Sequence, residues 1–409
     1  MNVGNIYGEL EGLLQDYLSP LGMGVNAGPG NGPLRAAGQL VAGMVFTGSV
    51  QLTNAARRGA QSPAELGRQV KRLSEALADP HWDHRPWAAQ VLALQAQQVQ
   101  EDDLLPLDAT ELAKPYARKM EYQCTVRDGS RPGHPLVAGY WCYGAYYYRP
   151  AEGILAPLLL RPYSQDQPGF LSENDEWLRA LGQLRRATGG RGICLLDRGG
   201  DRPEILADLL RWQPRWIVRL QEDRALLGPD GTRRPALAWG QEALAARPER
   251  GHAVTLPVAL PPEDVRQSAR SPRLHLVVPT YEFWRNGRPE RWHLLTCGLI
   301  GHQVGPRQVR HDYGWRWGAE DAKRFLGQIW HVERFLTRSF LALERMLWCL
   351  VLAGGFLALL QREQGTLAEE LESEVLYLPG RLKIPEYRLA RGILAVAGRE
   401  GPPAMLVNA

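Results

Sequence analysis

Cysteine is scarce in this sequence, and its spacing excludes two classes of small, cross-linked protein. The chain has five cysteines, an odd number, and no two of them are separated by two residues. A disulfide framework needs paired cysteines, and a zinc knuckle needs closely spaced ones. We therefore expect a reduced, cytosolic protein without a cysteine-bound metal.

Long hydrophobic runs are also missing. The apolar, uncharged run MLWCLVLAGGFLALL at 346–360 is shorter than the roughly 20 residues that a membrane-spanning helix requires. The N-terminus shows no basic-then-apolar signal pattern. These features predict a buried helix at 346–360 and no membrane partner.

A strong excess of charge of one sign is absent as well. The formal net charge of the 409 residues is +4, so any nucleic-acid surface has to be local. Only 5 of the 48 basic residues are lysine. Arginine suits bidentate phosphate contacts, although genomic base composition explains most of this bias. The length favours two or three domains.

Residues 1–98 are predicted to form an N-terminal helical domain, with helices at 6–18, 33–45 and 50–58 and a fourth after Ser62. Ser62 is a helix cap, Pro63 takes the first helical position and Glu65 completes a capping box. A turn at Gly59 makes a helix-turn-helix, and the second helix would present basic residues to DNA. These are Arg68, Lys71 and Arg72. The alternative is an ordinary helical bundle with a solvated basic face.

Residues 99–221 change from helical periodicity to a mixed pattern. Strands are predicted at 102–108, 136–149, 153–161, 192–197 and 214–221, and helices at 172–188 and 203–212. This order is that of an α/β, ribonuclease-H-like sheet. In such a sheet the first and fourth strands are neighbours. Asp108 and Asp197, which close those strands, should therefore lie within a few Å of each other.

The rest of the chain is predicted as three further segments. Residues 222–296 form a mostly β insertion, residues 297–362 complete the α/β core, and residues 363–409 form a C-terminal helical tail. The core's second part contains HDYGWRWGAEDAKRFLGQIW at 311–330. There Tyr313, Arg316, Glu320 and Arg324 recur at steps of three, four and four, which predicts that they share one face of a long helix.

These motifs together resemble the DDE transposases of bacterial insertion sequences, and in particular the IS-four group. That group carries a Tyr-x2-Arg-x3-Glu-x6-Lys signature, which Tyr313, Arg316 and Glu320 match, whereas Gly327 stands at the lysine position. The segments LDATELAKPYARKMEY, CLLDRGGDR, RWIVRLQ and RWHLLT also resemble the family, in its order. The resemblance covers about residues 35–390.

The resemblance implies a metal-dependent active site of three carboxylates, Asp108, Asp197 and Glu320. Two Mg²⁺ ions per site, replaceable by Mn²⁺, would activate the attacking oxygen and neutralise the leaving one. Asp108 would bridge the ions, and the other two acids would each complete one site. Arg324, one turn from Glu320, would take over from the missing lysine at Gly327.

The resemblance also implies a set of DNA contacts around the carboxylates. Tyr313, Arg316 and Arg324 would hold phosphates, and Arg219 in RWIVRLQ would contact DNA. Trp292 and Trp317 would stack on a base that is expelled when the transposon end closes into a hairpin. The alternative for both tryptophans is a place in the hydrophobic core.

The function expected from the resemblance is cut-and-paste DNA transposition in the bacterial cytoplasm. The partners would be double-stranded DNA, as terminal inverted repeats and target, and a second copy of the chain in a synaptic dimer. Two alternatives remain. One is a decayed copy that binds ends without cutting, which Gly327 favours. The other is a different ribonuclease-H-like nuclease such as a junction resolvase, which the β insertion argues against.

Overall fold

A computed structural model gives the fold of this chain. It describes residues 3–23, 32–57, 59–246, 252–265, 273–285, 288–301, 304–375 and 386–399. About 51% of the described residues are helical and 20% are in strands, with a mixed sheet and helices at both ends. The predicted α/β class is thus confirmed.

Thirteen helices and thirteen strands are present in the described ranges. The helices are α1 (Val3–Leu18), α2 (Gly32–Thr47), α3 (Leu52–Arg57), α4 (Pro63–Ala78), α5 (Arg85–Ala96), α6 (Glu173–Thr188), α7 (Pro203–Trp212), α8 (Ala236–Ala246), α9 (Pro306–Gly314), α10 (Trp317–Ile329), α11 (Phe340–Glu363), α12 (Gly365–Ser373) and α13 (Glu386–Arg399). The strands are β1 (Leu104–Ala113), β2 (Cys124–Arg127), β3 (Leu136–Arg149), β4 (Ile154–Tyr163), β5 (Ile193–Leu196), β6 (Trp216–Arg219), β7 (Ala225–Leu227), β8 (Arg233–Pro235), β9 (Ala253–Val258), β10 (Leu274–Pro279), β11 (Phe283–Arg285), β12 (Arg288–Glu290) and β13 (Leu294–Cys297).

The chain divides into two compact units. The first unit contains residues 1–98, 109–171 and 320–409, and the second contains residues 99–108 and 172–319. Strand β1 belongs to both units: its residues 104–108 lie in the second unit and its residues 109–113 in the first.

The first unit is built around helix α11. Its most apolar stretch is long enough to cross a membrane, but 89% of it is buried inside the protein, so it serves as a core helix, as predicted. It packs on β4 and on α2, α4, α5 and α13. The helix and β4 approach closely at Gly354, where an added Cβ would lie 2.6 Å from Pro157 Cδ.

In the N-terminal part of the first unit, α3 and α4 lie on either side of Gly59, as the sequence predicted for two helices there. Helices α2, α3 and α4 share a small core of Ala36, Ala56 and Leu73. Ser62 caps α4, and its side chain accepts a hydrogen bond from the Glu65 amide at 3.2 Å. The Glu65 carboxylate returns to the Gln61 amide at 2.8 Å, which tightens the turn between the helices.

The sheet of the first unit is antiparallel. β3 pairs with β2 on one side and with β1 on the other, and β4 also pairs with β3. Sequence patterning predicted β3 at its observed bounds, whereas β2, at only four residues, was missed.

The sheet of the second unit has the order β1-β5-β6-β13-β10-β9. β1, β5 and β6 are parallel, and β13, β10 and β9 continue the sheet in antiparallel pairs. Three strands of the region predicted as a β insertion therefore extend this sheet. The same region includes α8, which the sequence reading did not predict.

A buried carboxyl group lies at the start of α13. Glu386 Oε1 accepts a hydrogen bond from the Leu155 amide at 2.5 Å, and Oε2 has no partner among the described atoms. Burial raises the pKa of Glu386 from 4.5 to about 8, and Glu372 adds to the rise. The group is therefore protonated at neutral pH.

We expect the replacement Glu386→Gln to stabilise the protein increasingly between pH 5 and pH 8. Above about pH 4.5 the unfolded chain releases this proton while the folded chain keeps it, so the free energy of unfolding falls as pH rises. Glutamine is neutral at every pH and keeps an oxygen that accepts the Leu155 hydrogen bond. The variant therefore does not lose stability as pH rises, and at pH 8 its free energy of unfolding should exceed that of the wild type by on the order of a few kcal/mol. Urea unfolding at both pH values measures the difference, and an equal effect at both would contradict the buried protonated state.

Candidate active site

Asp108 and Asp197 follow the last paired residues of two adjacent parallel strands. In the register of β1 and β5, Leu107 pairs with Leu196, so the two aspartates occupy the next positions at the same edge. The predicted adjacency of these strands is confirmed. The prediction that Asp108 closes its strand is wrong, because β1 continues to Ala113. Asp108 marks the point where pairing with β5 ends.

Asp197 is held by the glycine-rich turn that follows it. Its Oδ1 accepts a hydrogen bond from the Gly199 amide at 2.7 Å and caps the short 3₁₀ turn Arg198–Gly200. A Cβ at residue 199 would lie 2.9 Å from the same oxygen. Glycine therefore gives the carboxylate room to approach the backbone.

A buried arginine pairs with Asp108. Arg316 Nη1 lies 3.4 Å from Asp108 Oδ2, and Arg316 is 7% exposed. Its guanidinium also stacks over Trp317 at 4.9 Å from the ring centre. The pair places a fixed positive charge beside a strand-edge carboxylate.

Tyr313 is buried close to Asp108, Asp197, Arg316 and Arg219. Burial raises the pKa of its hydroxyl, the nearby Asp197 and Asp108 raise it further, and Arg316 and Arg219 lower it. The charges of two carboxylates and two guanidiniums therefore influence the pKa of the Tyr313 hydroxyl, which stays protonated and neutral. The hydroxyl is available there as a hydrogen-bonding group and not as a base.

Arg219, at the end of β6, brings a third strand to the same edge. It forms an ion pair with Glu290 in β12, which also pairs with Arg198 at 3.1 Å. Arg219 is 7% exposed, and its Nε has no partner among the described atoms. A buried guanidinium with donor capacity to spare suits an anionic ligand.

The aromatic residues differ sharply in exposure. Trp292 is 7% exposed and meets Tyr313 edge to face, with ring centres 5.0 Å apart. Trp317 is 43% exposed. Trp292 is therefore a core residue in this structure, whereas the ring of Trp317 is accessible.

The prediction of one long helix through 311–330 is wrong. α9 ends at Gly314 and α10 begins at Trp317. Between them the amide of Arg316 bonds to the carbonyl of Tyr313, three residues back, and Ala319 bonds likewise to Arg316. Three-residue turns replace the α-helical step, so the four signature residues do not share one helical face.

Glu320 and Arg324 lie on α10 and belong to the first unit. The Arg324 side chain is 62% exposed and pairs with Asp321 at 3.0 Å. The neighbouring Lys323 pairs with Glu111 at 3.1 Å. An added Cβ at Gly327 meets nothing within 4 Å, so a side chain would fit at the position where the family has lysine.

The metal ligands predicted from the sequence divide between the two units. Asp108 and Asp197 come from the second unit and Glu320 from the first. Within the ranges that the structure describes, no group of three or more His, Cys, Asp or Glu side chains is assembled as a metal site. The two aspartates nevertheless provide hard oxygen donors at one sheet edge, which is the chemistry that Mg²⁺ prefers.

The predicted DNA contacts of α4 lie on its solvent face. Arg68, Lys71 and Arg72 are exposed. Lys71 makes an exposed i,i+4 pair with Glu75 at 3.7 Å, and Arg72 donates to Gln39 Oε1 at 3.2 Å. Their exposure suits phosphate contact and also the solvated face of a bundle.

The sequence reading missed two charged residues that organise the site. Glu290 joins Arg219 and Arg198, as described above. Asp201 accepts hydrogen bonds from the Gln221 amide at 2.7 Å and Arg224 Nε at 2.6 Å. These contacts tie the loop after β5 to the loop after β6. Sequence spacing holds no signal for such long-range pairs.

Fold and site together define a mixed α/β protein with two carboxylates and two buried arginines at one edge of a parallel strand group. No family model matches the chain, and no curated protein matches it.

Proposed function

We propose that this protein is a DDE transposase that cuts DNA at transposon ends and joins it to a target. The observation that carries the proposal is the register of β1 and β5, which sets Asp108 and Asp197 side by side at the carboxyl edge of parallel strands. In this proposal the sheet is ribonuclease-H-like, and Glu320 supplies the third carboxylate from α10. The protein would act as a dimer on two ends in the bacterial cytoplasm.

The three acids would hold two divalent ions, Mg²⁺ or Mn²⁺, through carboxylate oxygens. Bound ions of this kind acidify an attacking hydroxyl and neutralise a leaving oxygen. The hydrogen bond from Gly199 orients the Asp197 carboxylate. Arg316 balances the charge of Asp108, which lowers the repulsion that neighbouring carboxylates would otherwise exert.

The cationic side chains would position the DNA backbone. Arg219 has an unpartnered Nε among the described atoms, and Arg316 lies beside Asp108, so both suit scissile phosphates. Arg324 is exposed on α10 and would reach phosphates farther along the strand. The neutral hydroxyl of Tyr313 would donate a hydrogen bond without competing for protons.

The direct test uses duplexes from the two borders of the gene that encodes the chain. The proposal predicts short inverted repeats there, and it predicts that purified protein nicks those ends in Mg²⁺ or Mn²⁺ but not in EDTA. A protein that neither binds nor nicks the border DNA would overturn the proposal.

A second candidate is a DNA-end-binding protein that no longer cuts. Two observations favour it: Gly327 lacks the family's lysine, and Arg324, the residue expected to replace it, is engaged with Asp321. The same border duplexes separate the candidates. End binding without nicking in either metal would support the second candidate against the first.

The tryptophans allow a test of the hairpin route. We expect Trp317→Ala to leave first-strand nicking normal and to slow hairpin closure about tenfold, since stacking on an expelled base contributes about 1–3 kcal/mol. An abasic site at the expelled position should restore part of the rate. Denaturing gels with pre-nicked ends measure both steps.

Trp292→Ala serves as the contrasting variant. Trp292 is buried against Tyr313, so its removal should cost about 3–5 kcal/mol of stability and impair nicking and closure together. If Trp292→Ala instead folds normally and loses only hairpin closure, the stacking role belongs to Trp292. If wild-type protein forms no hairpin, the hairpin route is wrong.

A further inference from the structure

A groove of about 710 Å³ lies within the first unit, and neither Asp108 nor Asp197 lines it. Two chain segments line it, one from the end of β1 (residues 113–120) and one before α11 (residues 333–336 and 338), with Gln51 beside them. Both segments are irregular in structure for most of their length. The groove therefore depends on side chains and loop backbone, and not on a helix terminus.

Hydrogen bonds hold the two segments together. Lys114 Nζ donates to the carbonyls of Glu333, at 2.7 Å, and Phe335, and lies 3.8 Å from the centre of the Phe335 ring. The Glu121 amide donates to the Arg338 carbonyl at 2.8 Å. These hydrogen bonds fix the backbone of the two segments. Binding a ligand therefore does not have to order that backbone, which would cost conformational entropy.

The rim is positively charged and lacks acidic partners. Arg118, Lys119, Arg334 and Arg338 are exposed, and over the described ranges none of them makes an ion pair. Other cations of the same unit are neutralised, as Lys323 is by Glu111 at 3.1 Å.

The one acid among the lining residues, Glu333, contacts the backbone: its Oε1 accepts from the Ala113 amide at 3.2 Å. Glu121, next to the lining segment 113–120, accepts through Oε2 from the Phe340 amide at 2.9 Å. Neither of these two contacts involves a rim cation. The groove thus presents a local positive surface on a chain whose formal net charge is only +4.

Two large apolar side chains stand at the same rim. Tyr116 is 85% exposed and Leu336 is 76% exposed, one from each segment. Arg131 approaches the Tyr116 ring at 6.0 Å. Exposed side chains of this kind between unpaired cations are typical of surfaces that pack on the sugar-phosphate backbone of a nucleic acid.

We propose that this groove binds the phosphate backbone of double-stranded DNA, independently of sequence, as a surface separate from α4. The choice of duplex DNA as the occupant rests on the proposed function. Three of the four rim cations are arginines, whose forked donors match phosphate oxygens. A duplex of arbitrary sequence, as a transposition target is, requires this kind of contact.

The test measures how the full chain binds a labelled duplex of random sequence at salt concentrations from 50 to 200 mM. Two double variants remove one half of the rim each: Arg118→Ala with Lys119→Ala, and Arg334→Ala with Arg338→Ala. Log K falls as log salt concentration rises, and each phosphate contact contributes about 0.9 to the steepness of that fall. Each double variant should therefore make the slope less steep by up to about 1.8. The matched control is Arg186→Ala, an exposed cation on α6, which should leave the slope unchanged. Thermal unfolding checks that all variants fold.

The outcomes separate this proposal from the proposed function. If wild type nicks its border DNA and both double variants bind random duplex with the wild-type slope, the groove proposal is overturned and the transposase remains. If wild type never nicks but both variants lose duplex binding while the control does not, the groove is supported and the enzyme is not. An effect of only one pair, or a preference for single-stranded RNA or an acidic peptide over duplex DNA, overturns duplex binding by the groove.

Discussion

Replacement of Asp197 by alanine is expected to slow strand cleavage at a transposon end by about 10³-fold or more, while binding of that end stays near normal. The carboxylate lies at the sheet edge beside Asp108 and is oriented by the Gly199 amide. Losing one carboxylate ligand removes several kcal/mol of metal-assisted stabilisation of the transition state, and each 1.36 kcal/mol is about a factor of ten in rate.

Two further variants separate charge from folding at this position. Asp197→Asn keeps an oxygen that can accept the Gly199 hydrogen bond but lacks the charge, so it should fold like wild type and still fail to cleave. Asp223→Ala removes an exposed aspartate from the loop after β6 and should cleave normally. Cleavage by Asp197→Asn at the wild-type rate would remove Asp197 from the active site.

Replacement of Arg345 by alanine is expected to destabilise the first unit by about 3–5 kcal/mol. Arg345 on α11 is fully buried, and its Nη1 donates to the carbonyls of Leu77 at 2.6 Å and Asp79 at 2.9 Å. Its Nη2 donates to the carbonyl of Trp82, whose ring lies 4.4 Å from the guanidinium. A hydrogen bond from a charged group contributes about 1.5–3 kcal/mol. Alanine would leave the three carbonyls without these hydrogen bonds.

The comparison for Arg345 is Arg399→Ala, which removes a half-exposed arginine paired with Glu374 on the surface. An exposed pair contributes about 0–1 kcal/mol, so this variant should unfold in urea almost as wild type does. Arg345→Lys should fall between the two, because a single ammonium cannot match the forked geometry. Equal midpoints for Arg345→Ala and Arg399→Ala would show that the buried contacts do not secure the link between α4 and α5.

Local signals in the sequence predicted much of the fold. The predicted bounds of β3 and α7 are the observed ones, and Ser62 caps the helix that it was expected to cap. These features depend on residues within one turn or one strand, so a single sequence carries them. The side-by-side placement of β1 and β5 was also predictable, because the order of strands and helices limits the topology.

Features that depend on distant contacts could not be predicted. Asp108 was expected to end a strand, but pairing with β3 draws β1 on through Thr110 and Glu111 to Ala113. The helical spacing around Arg316 was interrupted by three-residue turns, in a segment where Arg316 turns toward Asp108. The network of Glu290 joins residues 71 positions apart, from Arg219 to Glu290.

Binding of Mn²⁺ in the presence of border duplex, followed by electron paramagnetic resonance, tests whether Asp108 and Asp197 are metal ligands. We expect wild-type protein to bind Mn²⁺ under these conditions, and Asp108→Ala and Asp197→Ala each to lose most of the bound Mn²⁺ while still binding the duplex. Wild-type levels of bound Mn²⁺ in both variants would contradict the assignment of these two aspartates as metal ligands.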